Sequence, residues 1–387
     1  MDSHPNILVY RNTLLNLSET FIKSQMEALR QFTPYYVGLR AKNDIPLATE
    51  RTFVLSQGGL CGKIKERNAA RHGFPSNFVR QIGQVQPTLI HSHFGQDGTI
   101  ALPLARRLNL PLIVTFHGFD ITTHDESAES NFIQKIYFQR RETLTRSASL
   151  FIAVSEFIHR ELIAKGFPEE KLTVHHIGVD VDYFTFKPLM GRENIVLFVG
   201  RLVEKKGCEY LIDAVSHLQA HFPGLELVVI GDGPLRPQLV KRAASKVSHY
   251  AFLGAQPHHT VKAWMQKAKV FCVPSLTASS GDTEGFGLVF TEAQAVGLPV
   301  VSFASGGVPE AVAHAETGLL APEGNVKELT AHLIRLLSDV DLWQSFSHQG
   351  RARVCKLFDL KRQSERLEQI YKSQALDRFN QTFCVTV

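Results

Sequence analysis

The stretch TEGFGLVFTEAQAVGLPVV, residues 283–301, places two acidic residues, Glu284 and Glu292, eight positions apart. On one continuous helix they would lie about 80° apart and two turns distant, so they could not converge on one small group. Because the glycines after Glu284 make a poor helix interior, Glu284 is predicted on a loop and Glu292 in a helix over 288–296. The apolar run over 298–304 predicts a strand behind that helix. A glycine-rich loop leading into a helix suits phosphate binding, whereas two solvated acids are the plainer interpretation.

The length and composition indicate a globular protein with two domains. Its 387 residues exceed a usual single core, and 44% hydrophobic with 20% charged residues exclude a disordered chain. The five cysteines form no CxxC pair and are odd in number, which predicts a reduced compartment. We recognise no signal peptide and no apolar run of the roughly 20 residues that span a bilayer. We therefore expect a cytoplasmic protein.

Apolar runs alternate with helical patterns along the chain. They are NILVY, LIHSHF, LIVTFH, LFIAVS and LTVHHIG in the first half, and NIVLFVGR, LELVVIGD, YAFLG, VFCVPS and PVVSFA in the second. Short apolar strands joined by helices favour parallel sheets covered on both faces. The predicted fold class is α/β, with two Rossmann-like doubly wound parallel-sheet domains facing across a ligand cleft. We expect an N-terminal domain over 1–186, a C-terminal domain over 190–360, and a helix over 361–387 that packs back on the first.

Several charged or glycine-rich motifs follow predicted strands. FVGRLVEKKG carries Arg201 and Lys206, two cations that suit a diphosphate, although surface charge is about as typical. In SFASGGVPEAV, bare amides at Gly306 and Gly307 before a helix would suit phosphate too, and a plain turn is the alternative. VVIGDGPLRP has Arg236 where a dinucleotide fingerprint needs its third glycine, so it is a weak indication of nicotinamide binding.

Polar residues also end two strands of the first half. TFHGFD carries His117 and Asp120, and HSHFG carries His91 and His93. His117, at the carboxyl end of its strand, is placed to reach a ligand. Zinc binding by His91 and His93 is disfavoured because no third ligand is spaced near them.

The pattern VDVDYF contains Asp180 and Asp182 in a D-x-D arrangement that could hold a divalent cation. Turn chemistry is the better interpretation, because Asp side chains commonly bond to their own backbone two residues on.

Residues 51–119 are the most basic part of the chain. They hold eight Lys or Arg against two acids, a surplus of six, whereas the whole chain carries +5. The stretch GKIKERNAARHGF mixes this charge with apolar residues, as a membrane-surface or anionic-ligand face would. A solvated basic face is about as probable, and nucleic acid is a weaker interpretation because no recognition motif accompanies the charge.

Taken together, the motifs resemble the retaining glycosyltransferases of family 4, which have the two-domain GT-B fold. The second half carries the resemblance through FVGRLVEKKG, VVIGDGPL, the E-x7-E motif and SGGVPEAVAHAETGLLAPEGN, and the first half through HSHFG, TFHGFD, AVSEF and GVDVDYF. LSETFIKSQM and TASSGDTEG resemble the exopolysaccharide branch that includes colanic acid and amylovoran transferases. The chain departs from the wider family by lacking a Gly-Gly loop after its first strand, where residues 12–18 stand instead, and this affects acceptor contacts more than donor contacts.

The resemblance implies a role for each motif. Glu292 would hold the ribose hydroxyls of the nucleotide and Glu284 would face the donor sugar, while Arg201 and Lys206 neutralise the departing diphosphate. His117 would lie near the sugar from the other domain. The further donor-binding residues implied are Gly285, Phe286, Gly287, Leu288, Gly306 and Gly307, and the acceptor residues implied are Ser18, Glu19, His93 and Asp120. The family's same-face reaction implies no carboxylate nucleophile, no cofactor and no metal.

The function expected from the resemblance is transfer of a hexose from a UDP- or GDP-sugar to a sugar acceptor. The acceptor would be a lipid-linked oligosaccharide of exopolysaccharide or capsule biosynthesis, at an anionic membrane surface on the inner face of the cytoplasmic membrane. A sugar-nucleotide epimerase of GT-B fold and a non-catalytic nucleotide-sugar-binding protein are the alternatives. An NAD-dependent oxidoreductase is weakened by the incomplete fingerprint.

Overall fold

The computed structural model describes residues 4–42, 44–124 and 132–384. The chain folds into two compact units. The first contains the chain up to Gly178 together with the segment that begins at Leu360, and the second is Val179–Asp359. This division differs from the predicted boundary at 186–190. The segment 186–194 belongs to the second unit, where the Arg192 guanidinium donates hydrogen bonds to the carbonyls of Met265, Ala268, Lys187 and Val296.

The first unit is built on a seven-stranded parallel sheet in the order β3-β2-β1-β4-β5-β6-β7. Its strands are β1 Asn6–Leu14, β2 Thr33–Ala41, β3 Thr52–Ser56, β4 Pro87–His93, β5 Leu112–Phe116, β6 Leu150–Ala153 and β7 Leu172–Val174. The chain runs outward from β1 to β3 and then resumes on the other side of β1 with β4. The switch point of this sheet, where ligands bind in doubly wound folds, therefore lies between β1 and β4.

Helices of the first unit connect these strands. They are α1 Thr20–Glu27, α2 Gly59–His72, α3 Ser76–Gly83, α4 Gly95–Leu108, α5 Phe119–Thr122, α6 Phe132–Ser147 and α7 Glu156–Ala164. The strands supply the core because their side chains are apolar on both faces, with Ile7, Val9, Ile113 and Ile152 fully or almost fully buried.

The second unit has a six-stranded parallel sheet in the order β10-β9-β8-β11-β12-β13. Its strands are β8 Ile195–Val199, β9 Glu226–Ile230, β10 Tyr250–Phe252, β11 Val270–Cys272, β12 Val300–Phe303 and β13 Gly318–Ala321, and its helices are α8 Cys208–Leu218, α9 Arg236–Lys246, α10 His258–Lys267, α11 Leu288–Ala295, α12 Val308–Ala311, α13 Val326–Ser338 and α14 Val340–Leu357. By the same reasoning its switch point lies between β8 and β11.

The last helix, α15 Leu360–Cys384, belongs to the first unit. Its Tyr371 is buried, and the Tyr371 hydroxyl lies 2.6 Å from Nδ1 of His91. The Glu368 carboxylate accepts hydrogen bonds from the backbone amides of Arg30 and Gln31. Of the helix expected over 361–387, residues 385–387 lie outside the described residues. Within the described ranges, no helix is both long and apolar enough to cross a membrane.

All ten predicted strands are present, and both sheets are parallel as predicted. Three strands were not predicted: β2, β3 and β13. β2 contains Pro34 and Gly38, residues that usually argue against a strand, and β3 and β13 are only five and four residues long. Tertiary pairing, with β1 for β2 and with β12 for β13, overrides these weak local signals.

Candidate active site

The E-x7-E stretch lies at the switch point of the second sheet. Glu284 is on the loop that follows β11, and Glu292 is inside α11, as predicted. Gly287 precedes the helix with a φ of 87°, a conformation that residues with a Cβ rarely adopt. The Phe286 side chain is buried and its ring packs edge-on against Phe358, with 5.1 Å between centroids. Phe286 thus anchors the end of the loop just before α11, with Glu284 on the loop and Glu292 on the helix.

Lys206 forms an ion pair with Glu284. The Lys206 ammonium donates a hydrogen bond to Oε2 of Glu284, and each side chain is only 13% exposed. The two residues meet because Lys206 follows β8 and Glu284 follows β11, the strands on either side of the switch point. Burial would raise the pKa of Glu284, but the charges of Lys206 and Lys205 and the hydrogen bond from Lys206 outweigh burial, so this pKa is lowered.

Arg201 follows the same strand as Lys206 but is exposed. Within the part of the chain that the structure describes, its guanidinium has no hydrogen-bond or ion-pair partner. Two glycines hold this loop. A Cβ at Gly231 would collide with the carbonyl oxygen of Gly200, and one at Gly233 would lie 2.5 Å from that of Leu202. Close backbone packing under Arg201 therefore accounts for the GDG motif without a dinucleotide.

The Gly306-Gly307 pair supports the Glu284 loop. The Gly307 amide donates a 2.8 Å hydrogen bond to the carbonyl oxygen of Glu284. The expectation that this amide is unpaired and available to a phosphate is therefore wrong. A Cβ at Gly306 would collide with the carbonyl oxygen of Glu284, and a Cβ at Gly307 with that of Gly285. The helix after this pair, α12, has only four residues. The glycines are thus required for close packing between two loops.

Glu292 has a partner that the sequence analysis missed. Its Oε1 lies 3.1 Å from Nε2 of His258, the first residue of α10. The His258 ring stacks on Tyr183 at 5.4 Å between centroids and packs edge-on against Phe184 at 5.1 Å. The hydrogen bond with Glu292 raises the pKa of His258 above its ordinary value. One sequence signal could have identified His258 as a site residue: it follows β10, as the other motif residues follow their strands.

His117 lies in an aromatic environment of the first unit. Its Nε2 is 3.1 Å from Nδ1 of His93, and its ring packs against Phe21 and Phe94. Burial lowers the pKa of both histidines well below the ordinary value, so both are neutral at pH 7. Nδ1 of His117 and Nε2 of His93 are buried and have no hydrogen-bond partner among the residues that the structure describes. His117 is therefore held as a neutral imidazole with one unused nitrogen.

His91 is a structural residue. Its two ring nitrogens lie 2.6 Å from the Tyr371 hydroxyl and 2.7 Å from the Thr115 hydroxyl, so neither is free for a metal. Asp180 Oδ1 accepts hydrogen bonds from the backbone amides of Asp182 and Tyr183, which confirms the turn interpretation. Among the described residues, no cluster of His, Cys, Asp or Glu is arranged to hold a metal ion.

Three of the four residues expected to contact an acceptor, Glu19, His93 and Asp120, are linked through Arg11 and His117. Arg11 donates hydrogen bonds to Glu19 and to the His93 carbonyl, and His117 contacts His93 through its ring and Asp120 through its amide. Ser18 is exposed, whereas Glu19 is buried and its carboxylate is 2.6 Å from the Arg11 guanidinium. His93 is fully buried. Both oxygens of Asp120 accept hydrogen bonds from backbone amides, those of Gly95, His117 and Gly118. Glu19, His93 and Asp120 therefore stabilise the loops around them.

The helix α2 carries four of the eight Lys and Arg residues of the basic stretch. Lys63, Lys65, Arg67 and Arg71 are exposed on it. Two large apolar side chains of the same helix, Leu60 and Ile64, are 82% and 59% exposed. An exposed helix that combines cations with apolar side chains has the composition of a membrane-surface helix.

The motif-bearing regions match known families. Residues 182–353 match the glycosyl transferases group 1, and residues 31–183 match glycosyltransferase family 4. The chain belongs to these glycosyltransferases. This family membership confirms the resemblance to the family 4 glycosyltransferases that was found in the sequence.

Relatives of this glycosyltransferase carry names from exopolysaccharide synthesis. The amylovoran biosynthesis glycosyltransferase AmsK of Erwinia amylovora is 34% identical over 250 residues, which are 63% of the chain and 60% of AmsK. WcaL of Salmonella typhimurium, named as a colanic acid biosynthesis glycosyltransferase, is 31% identical over 280 residues, 69% of the chain and 66% of WcaL. The chain thus spans 60–66% of the length of these relatives.

The fold of this glycosyltransferase is shared with solved structures. The crystal structure of Anabaena Alr3699/HepE in complex with UDP and glucose matches with a TM-score of 0.72 and 20% identity, covering 96% of the chain and 100% of that structure. This similarity confirms the predicted GT-B fold.

Proposed function

We propose that this chain transfers a hexose from a UDP- or GDP-sugar to a saccharide acceptor in exopolysaccharide or capsule biosynthesis, with retention of configuration. The observation that carries the proposal is the arrangement at the second switch point, where Glu284, paired with Lys206, and Glu292 lie on adjoining elements of the family's motif. The relatives AmsK and WcaL, which are named for amylovoran and colanic acid biosynthesis, support an exopolysaccharide as the product.

The charges at this site suit departure of a nucleoside diphosphate. Arg201 and Lys206 neutralise the charge that develops on the leaving diphosphate, an electrostatic contribution that is often the largest in such reactions. Glu292 accepts hydrogen bonds from the ribose hydroxyls, and Glu284 binds the donor sugar. His117 contacts the transferred sugar as a neutral imidazole. The acceptor attacks the face from which the diphosphate departs, so the reaction uses neither a carboxylate nucleophile nor a metal ion.

We further propose that α2 docks the first unit on an anionic membrane surface. Its exposed cations attract acidic lipid headgroups, and Leu60 and Ile64 insert at the boundary of the acyl chains.

Thermal unfolding in the presence of UDP, GDP and their sugars tests the proposed reaction. A ligand that binds only the native state at 100 times its Kd stabilises it by about 2.7 kcal/mol, so one nucleotide series should raise the melting temperature clearly. No shift with any of them would contradict the proposal. Nucleotide release that requires a saccharide acceptor distinguishes transfer from epimerisation, and the complete absence of release would indicate a binding protein.

A further inference from the structure

The first unit contains a polar cavity of about 630 Å³ at the switch point of its own sheet. Its lining comes from the carboxyl-terminal ends of β1 and β2 with the residues just beyond them, from the start of α4 after β4, and from Ile133 of α6. Doubly wound sheets bind ligands at the carboxyl ends of their strands. The volume lies within the range of pockets for small molecules. Of the four residues expected to contact an acceptor, none lines this cavity.

The floor of the cavity is held by a cluster of one guanidinium and two carboxylates. The Arg11 guanidinium is ion-paired with Asp97 and with Glu19, and it lies 4.2 Å from the centre of the Phe94 ring. The Asp97 carboxylate also accepts hydrogen bonds from the backbone amide and the side-chain amide of Asn12, at 2.8 and 2.6 Å. The Asp97 carboxylate is thus hydrogen-bonded, but the floor has one more negative than positive charge, so an anion would have to be held by cations of the rim.

The rim of the cavity carries cations that can move toward a ligand. Arg40 and Lys42 line it with side chains that are more than half exposed. Their acidic neighbours are Glu66, 3.9 Å from Arg40, and Asp44, 2.9 Å from Lys42. Glu66 and Asp44 are mostly buried, but the exposed cations keep contact with water, which weakens both pairs, so a ligand anion can compete for both cations.

An adjoining cavity of about 280 Å³ adds two more cations. It shares Asn12, Thr13, Arg40 and Ile133 with the first cavity and is also lined by Lys63 and Arg67. Around the two cavities and their ion-pair partners, five cations, Arg11, Arg40, Lys42, Lys63 and Arg67, stand with four acids, Glu19, Asp97, Glu66 and Asp44. The surplus is one positive charge, and the four cations other than Arg11 lie away from the floor. The guanidinium groups match the two-oxygen geometry of phosphate and carboxylate.

We propose that this cavity binds the acceptor and that the acceptor carries an anionic group, phosphate or carboxylate, held between Arg40 and Lys42. This inference extends the proposed function and rests on it, because the ligand is an acceptor only if the protein is the proposed transferase. Amide and hydroxyl side chains of the lining, those of Asn16, Gln96 and Thr13, supply hydrogen-bonding groups for the saccharide part.

Calorimetric titration with inorganic diphosphate tests the site. The variants R40Q/K42Q and R30Q/R80Q each remove two exposed cations of the first unit, and neither Arg30 nor Arg80 lines the two cavities. All titrations use an R201A/K206A background, so that diphosphate bound at the proposed donor site does not obscure the result. We expect R40Q/K42Q to weaken diphosphate binding at least tenfold, and we expect R30Q/R80Q and the charge-preserving R40K/K42R to retain it.

Equal affinity of R40Q/K42Q and its parent for diphosphate and for methyl glucuronide would overturn the proposal, as would an equal loss in R30Q/R80Q. A loss confined to methyl glucuronide supports it and assigns a carboxylate. Farnesyl diphosphate distinguishes the sources of a phosphate, since tighter binding than inorganic diphosphate assigns a lipid-linked group and equal binding a soluble one. Melting curves verify that each variant is folded.

Nucleotide binding, measured with Arg201 and Lys206 intact, separates this inference from the proposed function. R40Q/K42Q should bind UDP and GDP as the wild type does, and a parallel loss of nucleotide affinity would overturn the assignment of these cations to an acceptor. If the wild type binds neither nucleotide while the diphosphate result holds, the anion site stands and the proposed reaction fails.

Discussion

The imidazole Nε2 of His258 lies 3.1 Å from Oε1 of Glu292, on a helix separate from the one that carries the carboxylate. His258 is 41% exposed and Glu292 is 12% exposed, so the pair lies at the edge of the second unit's switch-point site. The contact engages Oε1 of the carboxylate and limits its rotation. Glu292 is thereby oriented before any ligand binds.

The His258–Glu292 pair should make stability depend on pH. Because its pKa is raised in the folded state, His258 stabilises the protein fully below the unfolded value of about 6.5, and this contribution is lost as the pH rises through the raised pKa. Solvent screening limits the effect to roughly 0.5 kcal/mol. Urea unfolding from pH 5.5 to 8.5 should therefore show a wild-type advantage over H258Q that shrinks with increasing pH.

The neighbouring His259, also exposed on α10, provides the matched control. H259Q should follow the wild-type pH profile. The same pH-dependent difference in both variants would show that the effect is a general one of histidine charge and not of the pair with Glu292.

Glu292→Gln should weaken nucleotide binding. A carboxylate can accept from both ribose hydroxyls, whereas the amide offers one acceptor oxygen. Loss of a hydrogen bond to a charged acceptor is worth about 1.5 kcal/mol or more, which corresponds to roughly a tenfold increase in Kd for UDP or GDP. Calorimetric titration of E292Q with UDP and GDP measures this increase in Kd. The control is E316Q, the same substitution at an exposed loop residue. Unchanged nucleotide affinity in E292Q would contradict the assignment of Glu292 to the ribose hydroxyls.

The sequence was sufficient to predict the elements that carry the site. Alternating apolar and helical patterns are local signals, and the residues Arg201, Lys206 and Glu284 all follow strands whose apolar runs are continuous. That Lys206 pairs with Glu284 is not local. It follows from the sheet order, in which β8 and β11 are neighbours although β9 and β10 lie between them in the chain.

Contacts that depend on backbone packing could not be predicted. The Gly306-Gly307 pair has the pattern of a phosphate loop, yet the structure uses the Gly307 amide to hold the carbonyl of Glu284. His258 carries no motif, and its role appears only when α10 is packed beside α11. Such contacts join segments distant in sequence, so the position of a residue after a strand can mark it as a candidate, but periodicity and spacing do not reveal which residue it contacts.

Replacing Lys206 should destabilise the protein more than replacing Arg201 does, whereas both residues should contribute to turnover. K206A leaves the largely buried Glu284 carboxylate without its ion-pair partner and should cost about 1–3 kcal/mol, whereas R201A at an exposed site should stay within about 0.5 kcal/mol of wild type. The double variant should lower turnover by about 10² or more if both cations stabilise the diphosphate. Urea unfolding and initial-rate assays measure these effects.

The pH dependence of the K206A effect provides an internal check. The pKa of Glu284 is lowered in the folded state, so the pair stabilises the protein above the unfolded value of about 4.3 and loses its contribution as the pH falls through the lowered pKa. The difference between wild type and K206A should therefore shrink in acid. Wild-type turnover in the double variant would make both residues ordinary surface cations.

Gly307→Ala should disturb the Glu284 loop. The added Cβ would collide with the carbonyl oxygen of Gly285, and backbone atoms cannot yield as a flexible side chain can. We expect a loss of about 1–3 kcal/mol together with weaker donor binding, because the loop that presents Glu284 must shift. Gly224→Ala is the control, since a Cβ there has open space around it. Equal stability of the two variants would mean that the two loops are not tightly coupled.

The last prediction concerns α2 as a membrane-docking helix. Each basic residue near an anionic surface contributes about 1 kcal/mol, so Lys63, Lys65, Arg67 and Arg71 together are sufficient to dock a protein reversibly. Changing all four to Ser should abolish sedimentation with anionic vesicles at low salt. Four exposed arginines outside α2, at positions 30, 80, 106 and 160, form the charge-matched control and should leave sedimentation largely intact when changed to Ser.

Varying the salt concentration and the apolar residues of α2 separates the electrostatic contribution to membrane docking from the apolar one. Added salt shortens the screening length, so wild-type sedimentation should fall at high salt and should be absent with neutral vesicles. Leu60 and Ile64 are exposed beside the cations, and L60S/I64S should reduce the part of the binding that persists at high salt. If the four-Ser variant of α2 sediments with anionic vesicles as well as the wild type does at low salt, α2 is not the docking surface and its charges are ordinary solvated residues.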